Sequence, residues 1–271
     1  MSTQSRAPID DLPPSGEERQ VERLSIATID GAPLAYVVSL AAVVAVLAMI
    51  PIPISVVLSS GRNFPMSQAI YPLVGWLLGP VAGALADAIG ALIGVFVAPQ
   101  TTTYAPATIF GAAMGGLAAA VMHGTGPRRH WWLPVSVLLI GLYALYAGRA
   151  IFVNHASWIS VTLGSFIDWS ALLLFVLPSR WLIARLIRSD DLTRTGVGLA
   201  MGTWTVAGLV HLSTAAIIYS VQNWPNEIWV AITPLAPLEH AVRCLAGTAI
   251  GLGVISGLRA TGVVKPIHAN Y

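Results

Sequence analysis

From residue 34 onward the chain runs in long apolar stretches separated by short polar turns, and most stretches have the length of a bilayer's hydrocarbon core. Segments are expected at about 34–58, 67–79, 80–98, 106–123, 132–153, 160–186, 197–221 and 239–260. None alternates polar and apolar residues with a period of two, so helices are expected and barrel strands are not. Residues 1–30 are polar and rich in Pro and acidic groups, with no apolar stretch that could form a signal-peptide core, and read as a mostly disordered tail. Residues 263–271 read as a second short tail. The expected fold is all-α, a polytopic transmembrane helix bundle over residues 31–262 with up to eight membrane segments.

The stretch YPLVGWLLGPVAGALADAIGALIGVFVAP, residues 71–99, places glycine at 75, 79 and 83 and again at 90 and 94. Small residues four apart make a flat helix face that lets two backbones approach closely, so this stretch reads as a tightly packed hairpin. Similar pairs recur at Gly111/Gly115, Gly247/Gly251 and Gly253/Gly257. Pro80 suits the first turn of the second helix, where a missing N–H costs least. Asp87 is the one carboxylate of the hairpin. Burying it ionised in a membrane is expensive, so it should face the bundle or a wet cavity and have a partner. Two roles stay open for it: hydrogen bonding that shapes the bundle, or contact with a ligand or proton.

Composition supports the membrane reading, since 56% of residues are hydrophobic and only 10% charged. The net charge of +2 is small and the basic residues are scattered, which argues against nucleic acid as a partner. Along the eight-segment path, Arg19, Arg23, Arg128, Arg129, Arg180, Arg185, Arg188, Arg194, Arg259 and Lys265 fall on one side, and Arg62, Arg149 and Arg243 on or near the other. That bias puts both termini in the cytoplasm of a multi-pass protein of the cell membrane. The single cysteine, Cys244, excludes an intramolecular disulfide.

FPMSQAIYPLVGWLLGPVAGALADAIGALIGVF resembles the second and third helices of the substrate-binding S components of energy-coupling factor transporters. Gly79, Pro80, Gly83, Asp87, Gly90 and Gly94 match that family's order of Gly-Pro, Gly-rich turn and Asp followed by small residues. LAAVVAVLA supplies Ala41 and Ala45, similar to the Ala-rich face with which S components dock on their coupling subunit, and PLAPLEHAVRCLAGTAIGLGVISGL looks like their last helix. The resemblance implies a six-helix core and capture of a vitamin or related nutrient from outside. It also implies a transmembrane coupling subunit and ATP-binding-cassette ATPases as partners, alongside membrane lipid. No cofactor or metal is implied.

Ligand groups are then expected at the outer helix ends, where Arg62, Asn63, Phe64, Tyr104, Arg149, Trp158, His240 and Arg243 combine aromatic surface with a few polar groups. Tryptophan and tyrosine also form belts at any membrane interface, and arginine near a helix end commonly snorkels. Asp87, Asp168 and His211 are read as polar groups that organise the bundle interior.

Other classes have weaker support. Glu239 and Arg243 in EHAVR resemble the Glu-xxx-Arg element of prenyl-type intramembrane proteases, but the only histidine beyond 243 is His268, and an i,i+4 ion pair explains the spacing. There is no Gly-x-Ser-x-Gly and no His-Glu-x-x-His, so an enzyme is not expected. The only lysine is Lys265, which leaves no P-loop and no internal motor. The alternative to a capture subunit is a self-contained proton-coupled carrier using Asp87, Asp168 and His211. An orphan membrane enzyme is a more distant third.

Overall fold

The structure, a computed structural model, describes residues 27–52, 64–102, 104–124, 126–261 and 263–271. A two-residue ribbon, β1 (Thr28–Ile29) and β2 (Ala32–Pro33), turns at Asp30–Gly31 and leads into α1 (Leu34–Ala48). There follow α2 (Tyr71–Leu78), α3 (Pro80–Val97), α4 (Ala105–Val121), α5 (Trp132–Gly148), α6 (Trp158–Gly164), α7 (Phe166–Val176), α8 (Ser179–Ile187), α9 (Leu192–Val221) and α10 (Asn226–Thr261). The expected all-α bundle is observed. Four helical stretches among the described residues are long and apolar enough to cross a membrane: Pro80–Val97, Gly126–Val153, Leu192–Val221 and Asn226–Thr261. A fifth arises if α6 and α7, bent by 65°, count as one. The protein is therefore a multi-pass membrane protein, with α1 and α4 apolar but shorter at 15 and 17 residues.

The glycine hairpin forms as its spacing implies. Gly79 adopts φ +91°, a backbone conformation that side chains with a Cβ rarely reach, and Pro80 opens α3 at its first position. A Cβ on Gly75 would collide with the Gly116 carbonyl, and one on Gly83 would lie 2.8 Å from Gly75 Cα. The glycines thus join α2, α3 and α4 backbone to backbone. Farther along α3, Gly90 and Gly94 receive Val44 and Ala48 of α1. Gly247 and Gly251 of α10 make the same kind of approach to Thr203 and Leu199, whereas Gly253 and Gly257 face open space and support no packing.

Four segments differ from expectation. The helix expected over 34–58 ends at Ala48, and residues 49–52 are not helical, with Pro51 bridged to Pro65. The stretch expected as one helix at 160–186 is three pieces, broken at Ser165 and again at Pro178. The Ser165 hydroxyl bonds back to the Val161 carbonyl, and α8 is an amphipathic helix with Ile183, Ala184 and Ile187 buried and Trp181 and Leu182 exposed. The final helix begins at Asn226, well before 239, and continues through Pro234 and Pro237. Each proline withdraws the donor that a carbonyl one turn back would otherwise use. Lastly, α9 begins at 192, earlier than 197, because Asp191 caps it by accepting from the amides of Thr193 (2.7 Å) and Arg194 (3.1 Å).

Asp30, the start of α3, the end of α4 and residues 263–271 gather at one end of the bundle. Asp30 accepts from the Val81 amide and from Arg128, and the Asn270 amide donates to the Trp76 carbonyl. Arg188 reaches His123 here, and Arg259 donates to the carbonyls of Ile187 and Ser189. Phe64, the 99–101 turn, Asn154 and the α9–α10 turn lie at the opposite end.

Candidate solute-binding site

A cavity of about 60 Å³, widening into open solvent at its mouth, enters the bundle at the end opposite residues 263–271. Gln222 and Trp224 stand at its mouth, and it runs inward to His211 and Glu239. Helix α9 contributes His211, Thr214, Ala215, Ile218 and Gln222, a single face by its steps of three and four residues, and α10 contributes Ile232, Ala236 and Glu239 in the same way. Phe64, Gln68, Thr101 and Thr108 complete the wall from the earlier helices.

Two charged groups meet at the inner end. Asp168 on α7, buried to 1% exposure, has Oδ1 2.6 Å from His211 Nδ1, while its Oδ2 accepts from the Tyr146 hydroxyl of α5. His211 must then carry its proton on Nδ1, and its Nε2 has no hydrogen-bond partner among the described residues. Across the cavity, Arg243 Nη2 lies 3.1 Å from Glu239 Oε1 one turn back on α10. Arg243 Nη1 is 3.3 Å from His240 Nδ1, and His240 Nε2 is 3.0 Å from the Trp204 carbonyl. A neutral His240 protonated on Nε2 satisfies both contacts. The Phe64 ring lies 4.7 Å from the Arg243 guanidinium carbon, within cation–π range. From Trp224 at the mouth inward to Tyr146, the rings of Trp224, Tyr219, Trp229 and Tyr146 pack against one another, with Tyr146 and Trp229 stacked at 6.2 Å.

Of the residues expected to bind a solute, Phe64 lines the cavity, and Arg243 and His240 lie directly behind its inner wall. Arg149 is half-buried at the same end and donates to Asn223 (3.1 Å), outside the cavity. Tyr104 and Trp158 are exposed and do not line it. Arg62 and Asn63 lie outside the described residues. The bland reading of EHAVR holds, since Glu239 and Arg243 form an ion pair.

The remaining sites divide. Asp168 and His211 do organise the interior, and His211 also reaches the cavity. Asp87 is wholly buried against Gly116, and neither oxygen has a hydrogen-bond partner among the described residues, contrary to the expectation that it would be paired. Ala41 and Ala45 are buried as well, and Gly90 of α3 comes against the Ala41 carbonyl. The small-residue face of α1 is therefore occupied by the chain's own α3 and is not open to a docking partner. Gln68, Thr108, Thr214, Gln222 and Tyr146 were not anticipated; the steps from His211 to Thr214 and Gln222 were the signal available for the α9 wall.

No family model matches the chain, and no curated protein or solved structure matches it.

Proposed function

We propose that the protein captures a small solute at the cell surface, as the substrate-binding subunit of an energy-coupling factor type importer. One observation carries this reading: the cavity opens at the end opposite Arg128, Arg129, Arg180, Arg185, Arg188, Arg194, Arg259 and Lys265. Positive charge favours the cytoplasmic side, so the mouth faces outward and both termini inward. A chain without a P-loop needs partner ATPases and a coupling subunit to release what it holds. With Ala41 and Ala45 engaged by α3, the coupling subunit docks on another face of the bundle. Native mass spectrometry of gently purified protein tests the reading. A retained small molecule together with copurified ATPase subunits is expected, and transport by the chain alone would contradict it.

A proton-coupled carrier is the second reading, favoured by Asp168 and His211 standing beside Glu239 at the inner end of the cavity. It requires uptake by the chain alone in proteoliposomes, abolished by a protonophore.

A further inference from the structure

Arg243 is only 1% exposed, yet two of its nitrogens, Nε and Nη2, have no hydrogen-bond acceptor among the described residues. Its Nη1 is engaged by His240, and Glu239 Oε1 stands 3.1 Å from Nη2 without hydrogen-bond geometry. Nε–H and one Nη2–H point the same way from the guanidinium plane, forming the edge that holds both oxygens of a carboxylate in a bidentate pair. A buried guanidinium whose Nε has no acceptor among the described residues, and whose Nη2 meets Glu239 only as an ion pair without hydrogen-bond geometry, is a costly arrangement, and it marks where a better-placed acceptor fits. Phe64 and Glu239, the two side chains against this edge and its face, both line the cavity, which places the guanidinium immediately behind its wall.

We infer that the cavity takes a small solute bearing a carboxylate, which docks on the Nε/Nη2 edge of Arg243 and displaces Glu239 from it. The inference rests on the cavity being a solute site and names the ligand's chemical class. Phe64, Ile218, Trp224 and Ile232 give the solute an apolar wall for the rest of its body. Phosphate shares the two-oxygen chemistry, but its second negative charge has no second cation to meet, because His211 is already paired with Asp168. Glu239 competes with the ligand for one cation, so it weakens binding in the resting state.

The test uses the detergent-purified full chain and tryptophan fluorescence, with butyrate and benzoate set against butyramide, benzamide and phenyl phosphate. Carboxylates are expected to bind at least tenfold more tightly than the matching amides, and more tightly than phenyl phosphate. Glu239→Gln should tighten carboxylate binding, an outcome that loss of a merely structural ion pair would not produce. Glu239→Gln combined with Arg243→Gln leaves no unpaired charge buried, so it should fold and lose the carboxylate preference. Amides binding as well as carboxylates, a preference for phenyl phosphate, no binding of any probe, or a double variant that keeps the preference would each overturn the inference. Ala215→Trp fills the cavity and separates the two levels of the argument. Binding without carboxylate preference that Ala215→Trp abolishes sinks only the ligand class, whereas binding that survives Ala215→Trp sinks the cavity as the site.

Discussion

Asp87 and Asp168 are both carboxylates buried between helices, and their surroundings could hardly differ more. Asp87 sits where α3 meets α4 across glycine, with no hydrogen-bond donor to either oxygen among the described residues. Asp168 receives Tyr146 on one oxygen and His211 on the other, and its partner His211 opens onto the cavity. The glycine-packed half of the bundle is tightly packed around Asp87, built so that backbones touch. The half formed by α7, α9 and α10 spends its polar groups on the wall of a cavity. A buried acid therefore points to a site only when its partners lead to open space.

Removing the Asp168 carboxylate is the sharpest way to test that contrast. Asp168→Ala leaves His211 and Tyr146 without their shared acceptor, and breaking a buried pair costs roughly 3–5 kcal/mol, to be read as a large fall in thermal unfolding temperature in detergent. An unchanged unfolding temperature would mean that the pair does not hold α7 to α9.

On the glycine-packed side, Gly75→Val forces a side chain into the Gly116 carbonyl, and overpacking of this kind costs about 1–3 kcal/mol. Ligand affinity of the fraction that folds should stay at the wild-type value. A variant that folds normally but loses binding would join the two halves that the comparison separates.

At the end carrying Arg128, Asp30 offers a test by pH. Burial works against its charged form, but hydrogen bonds from Arg128 and the Val81 amide, with the charges of Arg128 and His268, prevail and hold the carboxyl below its ordinary 3.8. The stabilisation is present in full above that ordinary value and is lost as the pH falls through the lower folded value. Asp30→Asn should therefore cost up to about 1 kcal/mol near neutrality, the scale of a partly exposed ion pair, with the difference from wild type closing in acid. A difference that widened in acid would contradict the assignment.

The smallest effect belongs to Asp87→Asn. No hydrogen bond is lost and the shape is kept, so a change below about 1 kcal/mol is expected, since an isosteric replacement that removes no partner is nearly neutral. A large loss of transport at unchanged stability would instead give Asp87 a direct role.

Much of the glycine-packed half could be read in the sequence, because glycine spacing reports backbone approach directly. Gly75, Gly83 and Gly90 packed as their intervals implied, and Pro80 marked the hairpin joint. The unpaired state of Asp87 was not legible, since a pattern in one chain segment says nothing of which donors the neighbouring helices present. The cavity half was half legible. Phe64, His240 and Arg243 stood out as aromatic and charged groups in apolar runs, while Thr108, Thr214 and Gln222 are ordinary helix residues whose role depends on which face turns inward. Tyr104, Trp158 and Arg149 have the chemistry of a binding site, but Tyr104 and Trp158 are exposed, as interfacial residues commonly are, and Arg149 is engaged by Asn223. The bend at Ser165, where its hydroxyl bonds back to Val161, and the passage of α10 through two prolines were not marked by the apolar pattern.

The central claim is that the cavity opens to the outside. Cysteine labelling of intact cells with a membrane-impermeant maleimide tests it most directly, using Gln222→Cys at the mouth and Asp190→Cys at the opposite end, each with Cys244→Ser. Gln222→Cys should label in intact cells and Asp190→Cys only after permeabilisation. The reverse pattern would turn the molecule over and contradict the account.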